Sequence, residues 1–176
     1  HFNEVPNKID EFIRQALITE KLTDPRIGPD LEKANNELSL LESLNKKVET
    51  LKYFVPLVKA RISIYENNLE EAFNLYIEAF DKARYTAGHL TIKIVQEVAY
   101  LGCFLHHKNK KQKKNRGEIW KNVRFIKDWC NLHHLEIVPE AKSDREFIEF
   151  CRRYFEQLFR EWIERPSAVK LINENL

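Results

Sequence analysis

Only four glycines occur in 176 residues, and apolar side chains recur at every third or fourth position along most of the chain. That recurrence is the period of an α-helix seen from its buried side. The expectation is an all-α chain of about seven antiparallel helices with short links, built either as repeat-like hairpins or as an irregular helical bundle. Hydrophobic residues at 43% and charged residues at 32% belong to an ordered globular chain rather than a disordered one. At this length a single domain, residues 1–176, accounts for the whole.

The breaks follow from local chemistry. Asn7 is expected to cap a first helix whose Ile9, Phe12, Ile13, Ala16 and Leu17 share a face. Two prolines and a glycine in residues 22–30 end it. A second helix opens near Asp30 and carries an apolar stripe from Leu31 to Leu51; Pro56 marks the next boundary. Helices are then expected over about 56–66, 69–85, 88–105 and 117–134, with a tight turn at Asn67 and Asn68. Ser143 and Glu146 form an S-x-x-E capping box that opens a seventh helix, continuous to Pro166 and unusually aromatic. Its Phe147, Phe150, Tyr154, Phe155, Phe159 and Trp162 are too many rings for one buried stripe, so Phe155, Phe159 and Trp162 are candidates for an interface with a partner or a second copy.

No apolar run approaches the roughly 18–20 residues that cross a bilayer, and residues 1–30 carry no signal-peptide pattern. Three cysteines form no disulfide framework, which suits a reducing compartment, the cytoplasm or, in a eukaryote, the nucleus. Methionine is absent, so the chain reads as part of a longer protein.

Residues 56–85, PLVKARISIYENNLEEAFNLYIEAFDKARY, form a helix–turn–helix with Ala60 in its first helix and Ala72, Tyr76 and Ala79 in its second. This stretch resembles one degenerate tetratricopeptide repeat, with Pro56, Lys59 and Ser63 departing from the pattern. Small residues at such positions let helices approach closely while the aromatic fills the wedge to the next pair. The resemblance implies a concave surface that holds a protein or peptide.

Candidates for chemistry are few. Cys103 with His106, and Cys130 with His133, each have the spacing zinc can use. If the two helices are antiparallel neighbours, however, their cysteines lie about 18 Å or more apart. The competing assignment makes Cys103 and Cys130 small core residues and the histidines favourable charges at helix ends. No Gly-rich phosphate loop, H-E-x-x-H or G-x-S-x-G occurs. No catalytic constellation and no cofactor site is therefore expected.

Charge is unevenly distributed. Residues 108–127 hold Lys108, Lys110, Lys111, Lys113, Lys114, Arg116, Lys121, Arg124 and Lys127 against the single acid Glu118, a formal +8 in a chain whose total is +2. Residues 106–117 are expected as a basic loop. Such a field attracts phosphate-bearing partners, and lysine in excess of arginine suits backbone attraction better than base readout. Two functions are therefore in view. The first is a non-catalytic protein- or peptide-binding scaffold, with self-association open to it; the second is a nucleic-acid-associated protein using residues 108–127.

Overall fold

The computed structural model describes residues 4–44, 52–85, 88–109 and 113–163; at 4–9, 89, 113 and 114 it describes the backbone alone. Among these residues the chain forms eight helices and no strand: α1 (Glu4–Thr23), α2 (Leu31–Leu44), α3 (Phe54–Tyr65), α4 (Leu69–Ala83), α5 (His89–Lys108), α6 (Lys113–Leu132), α7 (Asp144–Leu158) and α8 (Arg160–Ile163).

Helix ends follow local chemistry, with several departures from expectation. α1 begins upstream of Asn7, which lies within the helix rather than capping it. Pro6 is accommodated in the first turn, where a missing N–H leaves no intrahelical bond unmade. Asp30 caps α2 by accepting from the Lys33 N–H at 3.1 Å. The end of the expected stripe, Val48 and Leu51, lies outside the described residues. Between α3 and α4 the chain turns through Asn67 at φ 64°, and the Asn68 N–H closes the turn on the Ser63 carbonyl at 2.7 Å. Ser143 caps α7 by accepting from the Glu146 N–H at 3.1 Å, while Glu146 reaches back to the N–H of Lys142 at 2.8 Å.

Two expectations need correction. The basic loop of 106–117 is largely helical: residues 106–108 extend α5 and residues 113–117 open α6. The final aromatic helix is not continuous to Pro166. It breaks at Phe159, and in α8 Trp162 lies on Tyr65 of α3, ring centroids 4.6 Å apart.

Consecutive helices pair as hairpins, α1 with α2, α3 with α4 and α5 with α6. α1 packs on α3, and α7 skips α6 to lie along α5. We call α1, α3, α5 and α7 the inner row and α2, α4 and α6 the outer row; within the inner row α3 and α5 meet through the Arg61–Glu97 pair. α3 is buried on nearly every side, as its almost uninterrupted apolar sequence requires. α5 packs against α4, α6 and α7. Gly102 makes a close approach possible: a Cβ there would overlap Val123 Cγ2 of α6 and lie 3.0 Å from Phe73 Cε2 of α4.

Candidate functional site

The inner row is joined by buried charge. Arg61 of α3 is wholly withdrawn from solvent, as is Glu97 of α5. The Arg61 guanidinium donates to both carboxylate oxygens of Glu97, Nε to Oε1 and Nη2 to Oε2, each at 2.8 Å. Its Nη1 donates to Glu20 of α1, at 3.1 Å to Oε1 and 3.2 Å to the backbone carbonyl. Tyr76 of α4 donates its hydroxyl to Glu97 Oε1 at 2.8 Å. Toward the surface, Arg26 Nη1 reaches Glu97 at 3.2 Å and Asp24 at 3.1 Å, and Lys93 Nζ reaches Glu20 at 3.0 Å and Asp24 at 2.9 Å. The Tyr65 hydroxyl donates to the Thr23 carbonyl.

Three cations thus meet three carboxylates. Burial pushes the Glu97 carboxyl upward, but Arg61, then Arg26 and Tyr76, hold it below the usual carboxylate value. Asp24 is likewise depressed against the effect of its burial, by the Arg26 N–H, Arg61 and Lys93. The Tyr76 phenol is raised well above its ordinary value by burial and by Glu97. Every charged group in the cluster has a partner, so its chemistry is cohesion between helices rather than an open reacting centre.

An open surface lies on the other row, where the C-terminal ends of α4 and α6 flank the start of α5. Tyr85 is 77% exposed, Phe125 52%, Leu132 79% and Ile92 44%, half of the exposed large apolar side chains among the described residues. Arg84 sits between two of these rings, its guanidinium carbon 4.9 Å from the centre of Tyr85 and 5.8 Å from that of Phe125. Its Nη2 donates to the Tyr85 hydroxyl at 2.9 Å. Beneath, Phe80 meets Trp129 edge-on at 5.2 Å, and Trp129 stacks with His133 at 4.3 Å. A cavity of about 380 Å³ opens here, lined by Arg84, Tyr85, Ile92, Trp129, His133 and Leu135 among others. Gly88 and Thr91 complete the wall from α5.

Two further cavities lie toward the other end of α4: one of about 210 Å³ lined by Glu70, Phe73, Asn74, Leu105, Ile119 and Asn122 among others, and one of about 400 Å³ lined by Asn67, Asn68, Glu70, Lys108 and Asn109 among others. Their linings are amide- and carboxylate-bearing, unlike the aromatic surroundings of Arg84.

The residues singled out by sequence fall as follows. Ala60, Ala72, Tyr76 and Ala79 are fully buried where α3, α4 and α5 meet. Phe155 and Phe159 are fully buried within the chain, against Phe104 and Tyr65 respectively, and Trp162 is half-buried on Tyr65. Lys108, Lys121 and Arg124 are exposed, and Arg116 is half-buried. Lys127 is engaged, bound to Asp144 at 2.8 Å and lying 4.9 Å over the ring of Phe147. Lys110 and Lys111, and the side chains of Lys113 and Lys114, lie outside the described residues.

The zinc candidates have separate surroundings. Cys103 is buried against Cys151 of α7, and Cys130 lies on the floor of a cavity beneath Ile137 and Val138, its thiol pushed up to about 12 by burial. His106 faces Trp120, and His133 faces Trp129. Among the described residues no three His, Cys, Asp or Glu side chains are grouped to hold a metal, and no helix is long and apolar enough to cross a membrane. Comparisons with protein-family models, with curated proteins and with solved structures give no match to this chain.

Proposed function

We propose that the chain is a non-catalytic helical module that holds a protein or peptide segment against the aromatic end of its outer row. The observation carrying this is the exposed Tyr85 and Phe125 rings on Arg84, beside a cavity lined by Tyr85, Ile92, Trp129 and Leu135 that an apolar side chain can enter. Exposed apolar area concentrated in one place marks interaction surfaces. Tyrosine, tryptophan and arginine are the residue types that contribute most to binding at such surfaces. One side of the Tyr85 and Phe125 rings lies against Arg84, and Trp129 lies against His133. The cavity between Tyr85, Ile92, Trp129 and Leu135 suits an aliphatic or aromatic side chain.

The alternation of inner and outer helices, with Ala60, Ala72 and Ala79 at the seams, supports a tetratricopeptide-like arrangement of the hairpins. The partner, however, is assigned to the outer row rather than to a concave inner face, because α8 crosses onto α3 on the inner side. A reducing compartment, the cytoplasm or the nucleus, would keep the three buried thiols free.

Selection of displayed random peptides on the immobilised protein tests this directly. The affinities of the selected peptides should fall about tenfold or more for both Tyr85→Ala and Phe125→Ala, with unchanged thermal midpoints. Peptides that bind both variants as tightly as the parent would remove the patch from consideration. Concentration-dependent self-association abolished by the same substitutions would instead identify a second copy of the chain as the occupant.

A further inference from the structure

The cavity beside Tyr85 differs in charge from the other three. Its wall holds the cation Arg84 and no carboxylate, whereas each of the others has Glu70, Glu136 or Asp144 in its lining. Arg61, Arg26 and Arg152 each bind a carboxylate of this chain at 3.2 Å or closer. Arg84 forms no ion pair among the described residues. Asp81, one turn earlier on α4, and Asp128, one turn after Phe125 on α6, are exposed, and neither is bonded to it. The guanidinium is turned instead to the rings, 4.9 Å from the centre of Tyr85 and 5.8 Å from that of Phe125.

Those contacts leave part of its bonding capacity unused. A guanidinium donates from each of its nitrogens. Nη2 is engaged by the Tyr85 hydroxyl at 2.9 Å. Nη1 has no partner among the described residues and, unlike Nε, is not shielded from solvent. A guanidinium lying on aromatic rings directs its N–H groups outward in its own plane, so stacking and binding of a carboxylate are compatible. Lys121, one turn before Phe125 on the same side of α6, is exposed and also without an ion pair among the described residues. Phe125 is turned toward α4, its ring 6.3 Å from that of Phe80, so this side of α6 faces the patch.

We propose that the segment held here is an acidic peptide, in which one large apolar residue enters the cavity, a neighbouring Asp or Glu binds Arg84, and a further acid meets Lys121. This rests on the patch being the peptide-binding surface and adds the chemistry of its partner. The wall of Ile92, Trp129 and Leu135 suits an uncharged side chain, and the cation at its rim suits an anion. Adjacent residues of a peptide supply both. A basic segment is disfavoured, because arginine stays charged throughout the working pH range.

Three synthetic peptide pools test this by fluorescence anisotropy. Each carries Leu, Ile, Phe or Tyr at its centre, flanked on both sides by Glu in the first pool, Gln in the second and Lys in the third. The Glu pool should bind about tenfold more tightly than the Gln pool, and the Lys pool least. Added salt should weaken the Glu pool. Arg84→Gln should abolish the difference between the Glu and Gln pools at unchanged thermal midpoint. Arg84→Lys should retain part of it, and Lys121→Gln should reduce it about twofold. Glu and Gln pools bound equally, with loss of both in Tyr85→Ala and Phe125→Ala, would overturn the acidic partner and leave the patch standing. Binding indifferent to Tyr85→Ala and Phe125→Ala, or absent for every pool, would remove both. Arg84→Gln weakening all pools alike would show that the arginine only supports the rings, and would overturn the proposal. So would oligouridine bound more tightly than the Glu pool and lost in Arg84→Gln.

Discussion

Arg61 and Glu97, thirty-six positions apart, form a two-pronged ion pair, with 2.8 Å at each prong and no solvent reaching either side chain. Isolated charges at such depth would be strongly unfavourable, so each residue depends on the other. Glu97→Leu should therefore destabilise the fold by about 3–5 kcal/mol, because it leaves a buried guanidinium without its main partner. The double replacement Arg61→Met with Glu97→Leu should lose less than either single change. Urea denaturation of the four proteins measures the coupling; strictly additive losses would contradict it.

The same cluster sets the response to pH. Glu97 and Asp24 have folded-state values below their ordinary ones, so the unfolded chain binds protons first as pH falls. Their stabilisation is complete above the ordinary carboxylate range, about 4 to 4.5, and is lost as pH drops through the folded values. At the alkaline end the sign reverses. The raised Tyr76 phenol makes stability decline above about 10, where the unfolded chain ionises first. Denaturation midpoints measured between acid and neutral pH should show the acid slope, and Glu97→Gln should flatten it.

Gly102 lies where side chains of α4 and α6 close over α5, with no space for a methyl group. Gly102→Ala would gain about 1 kcal/mol of helix propensity. It should nevertheless lower stability overall, since forcing Val123 and Phe73 apart costs about 1–3 kcal/mol. A raised melting temperature would show that the helices can separate without loss.

All three thiols are buried, and burial pushes Cys130 up to about 12. Thiolate is the reacting form, so a disulfide reagent at neutral pH should leave the folded chain unmodified for as long as it stays folded. After denaturation all three should react. Rapid labelling of one cysteine in the native chain would reveal local opening at that site.

Helix type and approximate position were legible in the sequence because the apolar period is local, and Asn67, Ser143 and Pro56 punctuate it with chemistry that acts within a turn. Helix ends were less legible. Residues 106–108 and 113–117 are helical although they carry His, Asn and Gly among their lysines, because they continue helices whose remaining turns are packed against their neighbours. The buried cluster left a weaker trace: a lone arginine inside VPLVKARISIY and a lone glutamate inside IVQEVAYL. Each charge interrupts an apolar stretch, but no spacing rule connects residues on helices that meet only after folding. The aromatic patch was hidden for a related reason. Phe125 and Trp129 have the spacing of a core stripe, yet Phe125 is half exposed although its ring meets Phe80 of α4 edge-on.

Rows of helical hairpins that touch only their neighbours tend to behave as springs, able to wind and unwind with little resistance. Here the lodging of Trp162 on Tyr65 ties the last turn of the row to the second hairpin. A coil fastened across its own span keeps one curvature, so a partner meets a surface of constant pitch, and stretching the molecule requires that fastening to release first.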